Sequence, residues 1–325
     1  MKKPSLLLFL ILTLSLSAHA GMTPQVDATN WLRRIAMAAH QLNYSGLIVF
    51  QEGAHVESSR IYHAVDEYGE HEKLVMLDGT TREIIRNNEQ VFCYYPSKHI
   101  VTMEKRQSIR PFPALLPHQL SELSENYRVR KGPVERVAGL DSQIIALEPK
   151  DAYRYGRVLW ADKNSGLLLK AELQNENGKM IERFVFTQIN VGGKIDTKIF
   201  RPYPGSSEKS NPVIVNTIEP SANDLEWRID PLPPGFNKII DTKRQLAGKQ
   251  HLVLHRVYSD GLVAISVFIE PADNAGGETG LSQQGPLNVY SRFVSGYKVT
   301  VIGAVPPITV TRMAEAVSMQ VPALK

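Results

Sequence analysis

The sequence predicts an α+β protein with two domains, each organised around antiparallel β-sheet. Two observations carry this prediction: a long series of short strand patterns separated by turn residues, and helix patterns at the start, in the middle and at the end of the chain. At 325 residues, the chain exceeds the usual size of one domain, about 100–200 residues. A hydrophobic fraction of 43% and a charged fraction of 22% are ordinary for a chain that buries a core. Disorder, collagen and coiled coils are excluded.

Residues 1–20 have the pattern of a secretory signal peptide. Two lysines precede an apolar run at 6–16, and the small residues Ala18 and Ala20 fit the rule for signal peptidase. The run is too short to cross a hydrocarbon layer of about 30 Å as a helix. We expect cleavage between Ala20 and Gly21 and a soluble protein in the periplasm.

The mature chain begins with a helix and continues as strands. Asp27 is a suitable N-cap, and apolar residues recur at three- and four-residue steps up to Leu42. Alternation and turn residues then predict strands at 46–51, 60–64, 72–77, 81–86, 90–95, 99–103, 127–131, 143–148, 153–161, 167–173 and 181–189. Connections this short join antiparallel strands. Residues 21–192 are therefore predicted to form a large open antiparallel half-barrel, with helices on its concave face.

An apolar, proline-rich loop at 109–117 interrupts the strands, and a short helix is predicted at 118–126. Phe112, Leu115 and Leu116 make this loop unusually apolar for a connection. Two interpretations remain open: the loop is a plug that the protein makes for its own half-barrel, or it is a gate for a ligand.

Residues 193–223 have the proline- and serine-rich composition of a linker. Residues 224–325 are predicted to form a smaller α+β domain. Its elements are a strand at 238–242, a hairpin of 252–258 with 262–269, a strand pair at 288–294 and 297–303, and a helix from 307.

No pattern in the chain indicates an active site. The nucleophile elbow and the dinucleotide-binding glycine run are absent, and His71-Glu72 lacks the second histidine of a zinc protease motif. The one cysteine, Cys93, excludes an intramolecular disulfide and has no acid or base beside it. We therefore predict no catalytic residues, no metal and no cofactor. A formal charge of +4 over 325 residues also argues against nucleic acid as a partner.

A basic cluster lies in the strand that follows the short helix. Arg128, Arg130 and Lys131 would suit a phosphorylated lipid or an acidic peptide. The same residues also fit an ordinary solvated strand face, so both interpretations stay open.

Several stretches resemble the RseB/MucB family, in the right order and across both predicted domains. They are LDGTTREIIR at 77–86, YRYG at 153–156 running on to Lys170, ERF at 182–184 running on to QIN at 188–190, LPPGF at 232–236, SDGL at 259–262, SVFIEP at 266–271 and TVIG at 300–303.

The resemblance implies a periplasmic negative regulator of a sigma-E/AlgU-type envelope-stress sigma factor. Such a protein binds the periplasmic region of a single-span anti-sigma factor of RseA or MucA type and shields it from regulated proteolysis. The resemblance also implies a large domain similar to the lipoprotein carriers LolA and LolB, release by lipopolysaccharide or lipoprotein acyl chains, and homodimers or higher oligomers.

A periplasmic lipid or lipoprotein carrier of LolA type is the second hypothesis, and it would require bound acyl cargo. An enzyme is the third, and no constellation of residues supports it.

Overall fold

The computed structural model describes residues 24–96, 100–105, 111–117, 119–201, 213–214, 217–218, 220, 227–246, 251–272 and 279–319. The predicted signal peptide and its cleavage site at Ala20 and Gly21 lie outside these residues. Within them, no helix is both long enough and apolar enough to cross a membrane.

The larger sheet has twelve strands in the order β12-β6-β5-β4-β3-β2-β1-β11-β10-β9-β8-β7. The strands are β1 (Tyr44–Glu52), β2 (His55–Asp66), β3 (Gly69–Met76), β4 (Glu83–Asn87), β5 (Gln90–Tyr95), β6 (Ile100–Lys105), β7 (Tyr127–Val137), β8 (Leu140–Pro149), β9 (Gly156–Asp162), β10 (Leu168–Gln174), β11 (Met180–Val191) and β12 (Val213–Ile214).

Strand β1 lies in the middle of this sheet, because it pairs antiparallel with both β2 and β11. One meander runs outward from it to β6, and a second runs from β7 back to β11. Strand β12, from the predicted linker, pairs parallel with β6. The prediction of an open antiparallel sheet is confirmed, and α1 and the loop at 111–117 pack on one of its faces.

Helix α1 (Pro24–Gln41) packs on the inner face of the half-barrel, against β7, β8 and β10. Its apolar residues at three- and four-residue steps, including Trp31, Leu32 and Ile35, belong to the core of the large sheet. The helix begins three residues before Asp27, so Asp27 lies in the first turn and is not the N-cap.

Many strand boundaries also differ by a few residues from the sequence-based expectation, and two differences lie near the contact between the domains. The middle helix, α2, is shorter than predicted and covers Ser121–Asn126. The strand predicted from residue 153 begins only at Gly156, because residues 153–155 bend away to contact the smaller domain.

The smaller domain is an α+β unit, as predicted. Its sheet of seven strands has the order β13-β15-β16-β17-β20-β19-β18, and a separate pair joins β14 to β21. The strands are β13 (Thr217–Ile218), β14 (Trp227–Ile229), β15 (Asn237–Gln245), β16 (Leu252–Ser259), β17 (Ala264–Pro271), β18 (Gly280–Gln284), β19 (Leu287–Val294), β20 (Tyr297–Gly303) and β21 (Val317–Met319).

Helix α3 (Pro307–Glu315) packs on β19 and β20 of this sheet. Proline at its first position supplies the fixed φ that suits a helix start. Val310 and Met313 face the sheet and pack with alternating residues such as Val267 and Val301, which are all fully buried. The smaller domain therefore has a core of its own.

Candidate functional site

The apolar loop after β6 lies on the inner face of the half-barrel. Phe112 is 5% exposed, and its ring stacks on that of Phe184, with the centroids 5.5 Å apart and the planes at 9°. The ring of Phe186 lies 5.3 Å away. Leu116 is buried in the same core, and Leu115 packs against it half-buried. The loop thus fills the inner face at β11, and a ligand at this place would have to displace it.

Another part of the inner face is less well covered. The strand register places Ile61, Leu74, Ile84 and Cys93 in one row across β2, β3, β4 and β5. Ile61 is fully buried, whereas the next three side chains are only half-buried. Burial thus decreases away from α1, and this side of the half-barrel presents a strip of apolar surface.

The three basic residues of β7 that were predicted to bind a ligand divide into two groups. Arg128 and Arg130 are exposed, with side chains 67% and 65% accessible, and both lie beside Glu148, at 3.8 and 3.1 Å. Lys131 instead donates to Asp27 of α1 at 2.6 Å. Two of the three cations thus remain on the outside of the sheet, while the third holds α1 against β7.

The structure does not bring the predicted residues into one site. Phe112 and Leu116 belong to the buried core, whereas Arg128 and Arg130 lie on the exposed side of the edge strand β7. A single ligand could contact both groups only if the loop left the inner face.

A third region, the junction between the domains, was not predicted from the sequence. Its centre is Asp260, which is fully buried in the turn between β16 and β17. Its Oδ2 accepts hydrogen bonds from the Tyr127 hydroxyl and from Nη1 of Arg154, each at 2.8 Å. Its Oδ1 accepts from the backbone N–H groups of Leu262 and Val263, each at 2.9 Å. Four hydrogen bonds satisfy this carboxylate, and two of them cross between the domains.

Arg154 also has hydrogen-bond acceptors in both domains. Its Nε and Nη2 donate to the two carboxylate oxygens of Asp151 at 3.0 and 2.9 Å. Nη2 also donates to the Pro234 carbonyl oxygen of the smaller domain at 2.5 Å. The guanidinium lies 5.6 Å from the ring centroid of Tyr127 and 5.0 Å from that of Phe236. Planar stacking and a fixed fork of donors suit arginine for such a place, and lysine could not replace it.

Other contacts extend the junction on both sides of this ion pair. The Thr309 hydroxyl donates to the Tyr153 carbonyl oxygen at 2.9 Å. The Asn288 amide donates to the Tyr155 hydroxyl at 3.3 Å. Gly235 has a positive φ of 77° and passes so close to Asn126 that any side chain there would collide with the amide.

Burial and charge shift the titration of the two groups that contact Asp260. Burial raises the pKa of Tyr127 well above its usual value, and the neighbouring Asp260 carboxylate raises it further. Burial disfavours the charged form of Arg154, but the hydrogen bonds to Asp151 and the charge of Asp260 outweigh this effect and raise its pKa. The phenol therefore remains a hydrogen-bond donor and the guanidinium a cation at any physiological pH.

One signal in the sequence points to this junction. The stretches at 153–156, 232–236 and 259–262, which carry part of the resemblance, meet around Arg154 and Asp260. Because 106 residues separate this arginine from this aspartate, no local pattern could pair them.

Among the described residues, no group of three or more His, Cys, Asp or Glu side chains is arranged to hold a metal ion.

Two family models match the chain. The model of the MucB/RseB N-terminal domain matches residues 27–203, and that of the MucB/RseB C-terminal domain matches residues 221–318. The chain is 32% identical over 334 residues to the sigma factor AlgU regulatory protein MucB of Pseudomonas aeruginosa, and the match covers 100% of both chains. It is 25% identical over 305 residues to the sigma-E factor regulatory protein RseB of Escherichia coli K12, covering 93% of each.

Solved structures give the same result. The structure of the Pseudomonas aeruginosa MucA/MucB complex contains a chain that is 30% identical, with a TM-score of 0.74, and the match covers 91% of this chain and 99% of that one. A crystal structure of MucB, 28% identical, matches with a TM-score of 0.66 and covers 91% and 98%.

Proposed function

Because the chain belongs to the MucB/RseB family, we propose that it is a negative regulator of sigma-E-type envelope-stress signalling. It binds the periplasmic region of a membrane anti-sigma factor of RseA or MucA type and shields that region from regulated proteolysis. The family resemblance noted in the sequence is confirmed by the two family models and by the full-length relatives.

One observation carries this proposal: similarity over the whole chain to sigma factor regulatory proteins, one of which, MucB, has been solved in complex with MucA. The similarity extends through both domains and the junction between them. The names of the relatives describe regulators, which supports a non-enzymatic role.

Location and domain limits follow as parts of the same proposal. A signal peptide at 1–20 delivers the protein to the periplasm, where residues 21–192 form the half-barrel domain. Residues 193–223 link it to the smaller domain at 224–325. Homodimers or higher oligomers form under some conditions.

Lipid is the proposed releasing signal, supplied as lipopolysaccharide or lipoprotein acyl chains. The strip of Leu74, Ile84 and Cys93 on the inner face offers apolar surface to an acyl chain. Phe112, Leu115 and Leu116 would act as the gate, and Arg128, Arg130 and Lys131 as contacts for the phosphorylated headgroup. Binding of lipid and of the anti-sigma factor would be linked, each lowering the affinity for the other.

A pull-down of the mature protein with the periplasmic segment of its anti-sigma factor tests the proposal. We expect capture of the segment, reduced when lipopolysaccharide is added. A scrambled segment of the same composition is the control for charge alone. If the native segment is not captured above the scrambled one with or without lipid, the regulatory function is excluded.

A periplasmic carrier of LolA type is the second candidate, and the half-buried apolar strip is the observation that favours it. A carrier purified from the periplasm would contain stoichiometric acyl cargo, whereas a regulator purified from unstressed cells would contain little lipid. Mass spectrometry of the protein purified without detergent distinguishes the two, since about one acylated molecule per chain would support the carrier.

A further inference from the structure

A depression lies on the outer face of the half-barrel, where β1 runs between β2 and β11. Its volume is about 150 Å³. That leaves room for several water molecules but is less than the roughly 300–1,000 Å³ of a pocket for a drug-sized ligand. Five strand spacings, roughly 24 Å along the sheet, separate β1 from the basic strand β7. The depression is lined by the side chains of Ser45, Leu47, Arg60, Tyr62, Gln188 and Asn190.

The register of the three strands explains the shape of the depression. Tyr44 and Ile48 belong to the core on the inner face, so Ser45 points to the outer face. Ser45 lies between Tyr62 on β2 and Asn190 on β11, and the next row along β1 repeats this order with the other three side chains. A small side chain in the middle and longer ones on both sides thus form a floor between two walls.

A β-bulge positions one of these walls. The register between β1 and β11 shifts after Leu47, so that Thr187 has no partner on β1. The strands approach closely because residue 46 is glycine. A Cβ at Gly46 would lie only 2.4 Å from the carbonyl oxygen of Gln188 and 2.8 Å from the ring of Phe186. Bulges redirect side chains and are frequent beside functional sites. The bulge and Gly46 together set the position of Gln188 beside β1.

The charge of the depression is positive and unpaired. Among the described residues that line it, Arg60 is the one cation and none is a carboxylate. Other cations on the outer face have acidic partners: Lys73 pairs with Glu83 at 3.1 Å, and Arg183 pairs with Glu172 at 2.9 Å. In the part of the chain that the structure describes, the side chain of Arg60 has no hydrogen-bond or ion-pair partner, and the same holds for the four polar side chains around it.

We propose that this depression binds a phosphate group, either as the free ion or as part of a small phosphomonoester. The planar guanidinium of Arg60 offers a fork of N–H groups that matches two phosphate oxygens. The amides of Gln188 and Asn190 and two hydroxyls add donors for further oxygens. A phosphomonoester has three acceptor oxygens and a charge of about −1.5 to −2, whereas a carboxylate has two oxygens and a single charge. Several donors around one cation therefore favour phosphate. The site is independent of the regulatory function proposed above.

NMR of the mature full-length protein tests the site, with the side-chain amide signals of Gln188 and Asn190 as reporters. Inorganic phosphate, glucose 6-phosphate or glucose is added at constant ionic strength. We expect saturable shifts of both signals with a phosphate-bearing probe and none with glucose. Shifts with inorganic phosphate would show that the ion alone is bound, and shifts with glucose 6-phosphate only would show that the organic part is needed. Equal shifts with glucose and glucose 6-phosphate, or no saturable shift with either phosphate, would overturn the proposal.

Two variants separate specific binding from a general effect of charge. Arg60→Gln removes the cation from an exposed position, and the affinity for phosphate should fall about tenfold or more because charge-assisted hydrogen bonds are lost. Ser45→Val fills the floor with a side chain that strands favour, and it should abolish the shifts. Arg33→Gln is the matched control, since Arg33 is an exposed arginine of α1 that donates to Asn30 at 2.9 Å, and it should leave the affinity unchanged.

Urea unfolding of each variant shows whether the fold is retained. If Ser45→Val does not fold, Arg60→Gln decides alone. An affinity for phosphate that is the same in Arg60→Gln and in the wild-type protein would show that the depression is not the binding site.

Discussion

Nη1 of Arg154 donates to Oδ2 of Asp260 at 2.8 Å, and both side chains are completely inaccessible to solvent. The pair joins the loop before β9 of the half-barrel to the turn after β16 of the smaller domain. Hydrogen bonds within the protein replace the water that both ions lose on burial, because every polar atom of the two side chains has a partner. The two domains are therefore joined by an interaction that tolerates little rearrangement.

Replacing Asp260 by Asn should destabilise the protein by about 3 kcal/mol. This is the lower end of the range for breaking a buried pair, because Asp151 continues to balance the charge of Arg154. Urea unfolding followed by far-UV circular dichroism measures the change. Arg130→Gln, which breaks only an exposed pair with Glu148, is the matched control and should cost less than about 1 kcal/mol. Equal effects of the two substitutions would contradict the role given to the junction.

Phe112→Ala should destabilise the half-barrel by about 3–5 kcal/mol, since it removes a buried ring packed on Phe184 and Phe186. Thermal or urea unfolding measures it. Tyr68→Ala is the control, because Tyr68 is 76% exposed and its loss should change stability by about 0.5 kcal/mol or less. A cost below about 1 kcal/mol for Phe112→Ala would mean that the loop is not part of the core.

The smaller domain should lose stability as the solution becomes acidic. Burial, followed by the charge of Arg244, lowers the pKa of His255 to about 4. In the unfolded chain the ring titrates at about 6.5. As the pH falls between these values, the unfolded state takes up a proton that the folded state does not, so stability decreases by up to about 1.4 kcal/mol per pH unit.

The variant His255→Gln tests this dependence. Between pH 6.5 and 5, where few carboxylates titrate, the free energy of unfolding of the variant should fall less steeply than that of the wild-type protein. The difference between the two slopes should be up to about 1.4 kcal/mol per pH unit. Urea unfolding at a series of pH values supplies both slopes. Identical slopes would show that His255 gains its proton as easily in the folded state as in the unfolded one.

Replacing Arg128, Arg130 and Lys131 by Gln should weaken binding to lipopolysaccharide if these residues contact the headgroup. The triple variant loses two exposed cations and the lysine that pairs with Asp27. The affinity for lipopolysaccharide should fall about tenfold or more, because hydrogen bonds to charged groups contribute about 1.5–3 kcal/mol each. Isothermal titration calorimetry measures it. Substituting the exposed Arg228 on β14, away from this strand, should have no effect; an unchanged affinity of the triple variant would refute the headgroup assignment.

Local patterns in the sequence predict the sheets well but not what covers them. The alternation from Leu167 to Gln174 predicts one buried and one solvated face for β10. In the structure, Glu172 on the predicted solvated face is buried. Leu168 is buried in the core for a different reason: the register of β10 with β9 shifts between Leu168 and Lys170, and this shift moves Leu168 to the other face of the sheet. Lys170 lies 3.8 Å from the ring centroid of Trp160 on β9, and its ammonium pairs with Glu172. The stems of long charged side chains thus cover apolar surface on the outer face. A pattern that only sorts residues into polar and apolar does not predict such cover.

The junction between the domains shows the second limit of local patterns. The alternation of Tyr153 and Tyr155 is typical of a strand, but these residues turn toward Thr309 and Asn288 of the smaller domain. Such contacts join positions more than 130 residues apart. In the sequence, the only sign that the stretches at 153–156, 232–236 and 259–262 meet is that all three carry the family resemblance. That resemblance does not say which of their side chains are in contact.

A sheet of twelve strands that does not close has two rims, where exposed backbone groups can recruit a strand from another molecule. At one rim, β12 lies beside β6 and takes the place that a foreign strand would occupy. At the other, the register of β7 shifts between Lys131 and Val134, and Pro133 has no N–H to offer. Both rims thus have features that hinder pairing with a strand from another molecule, and at one rim the covering strand comes from the predicted linker.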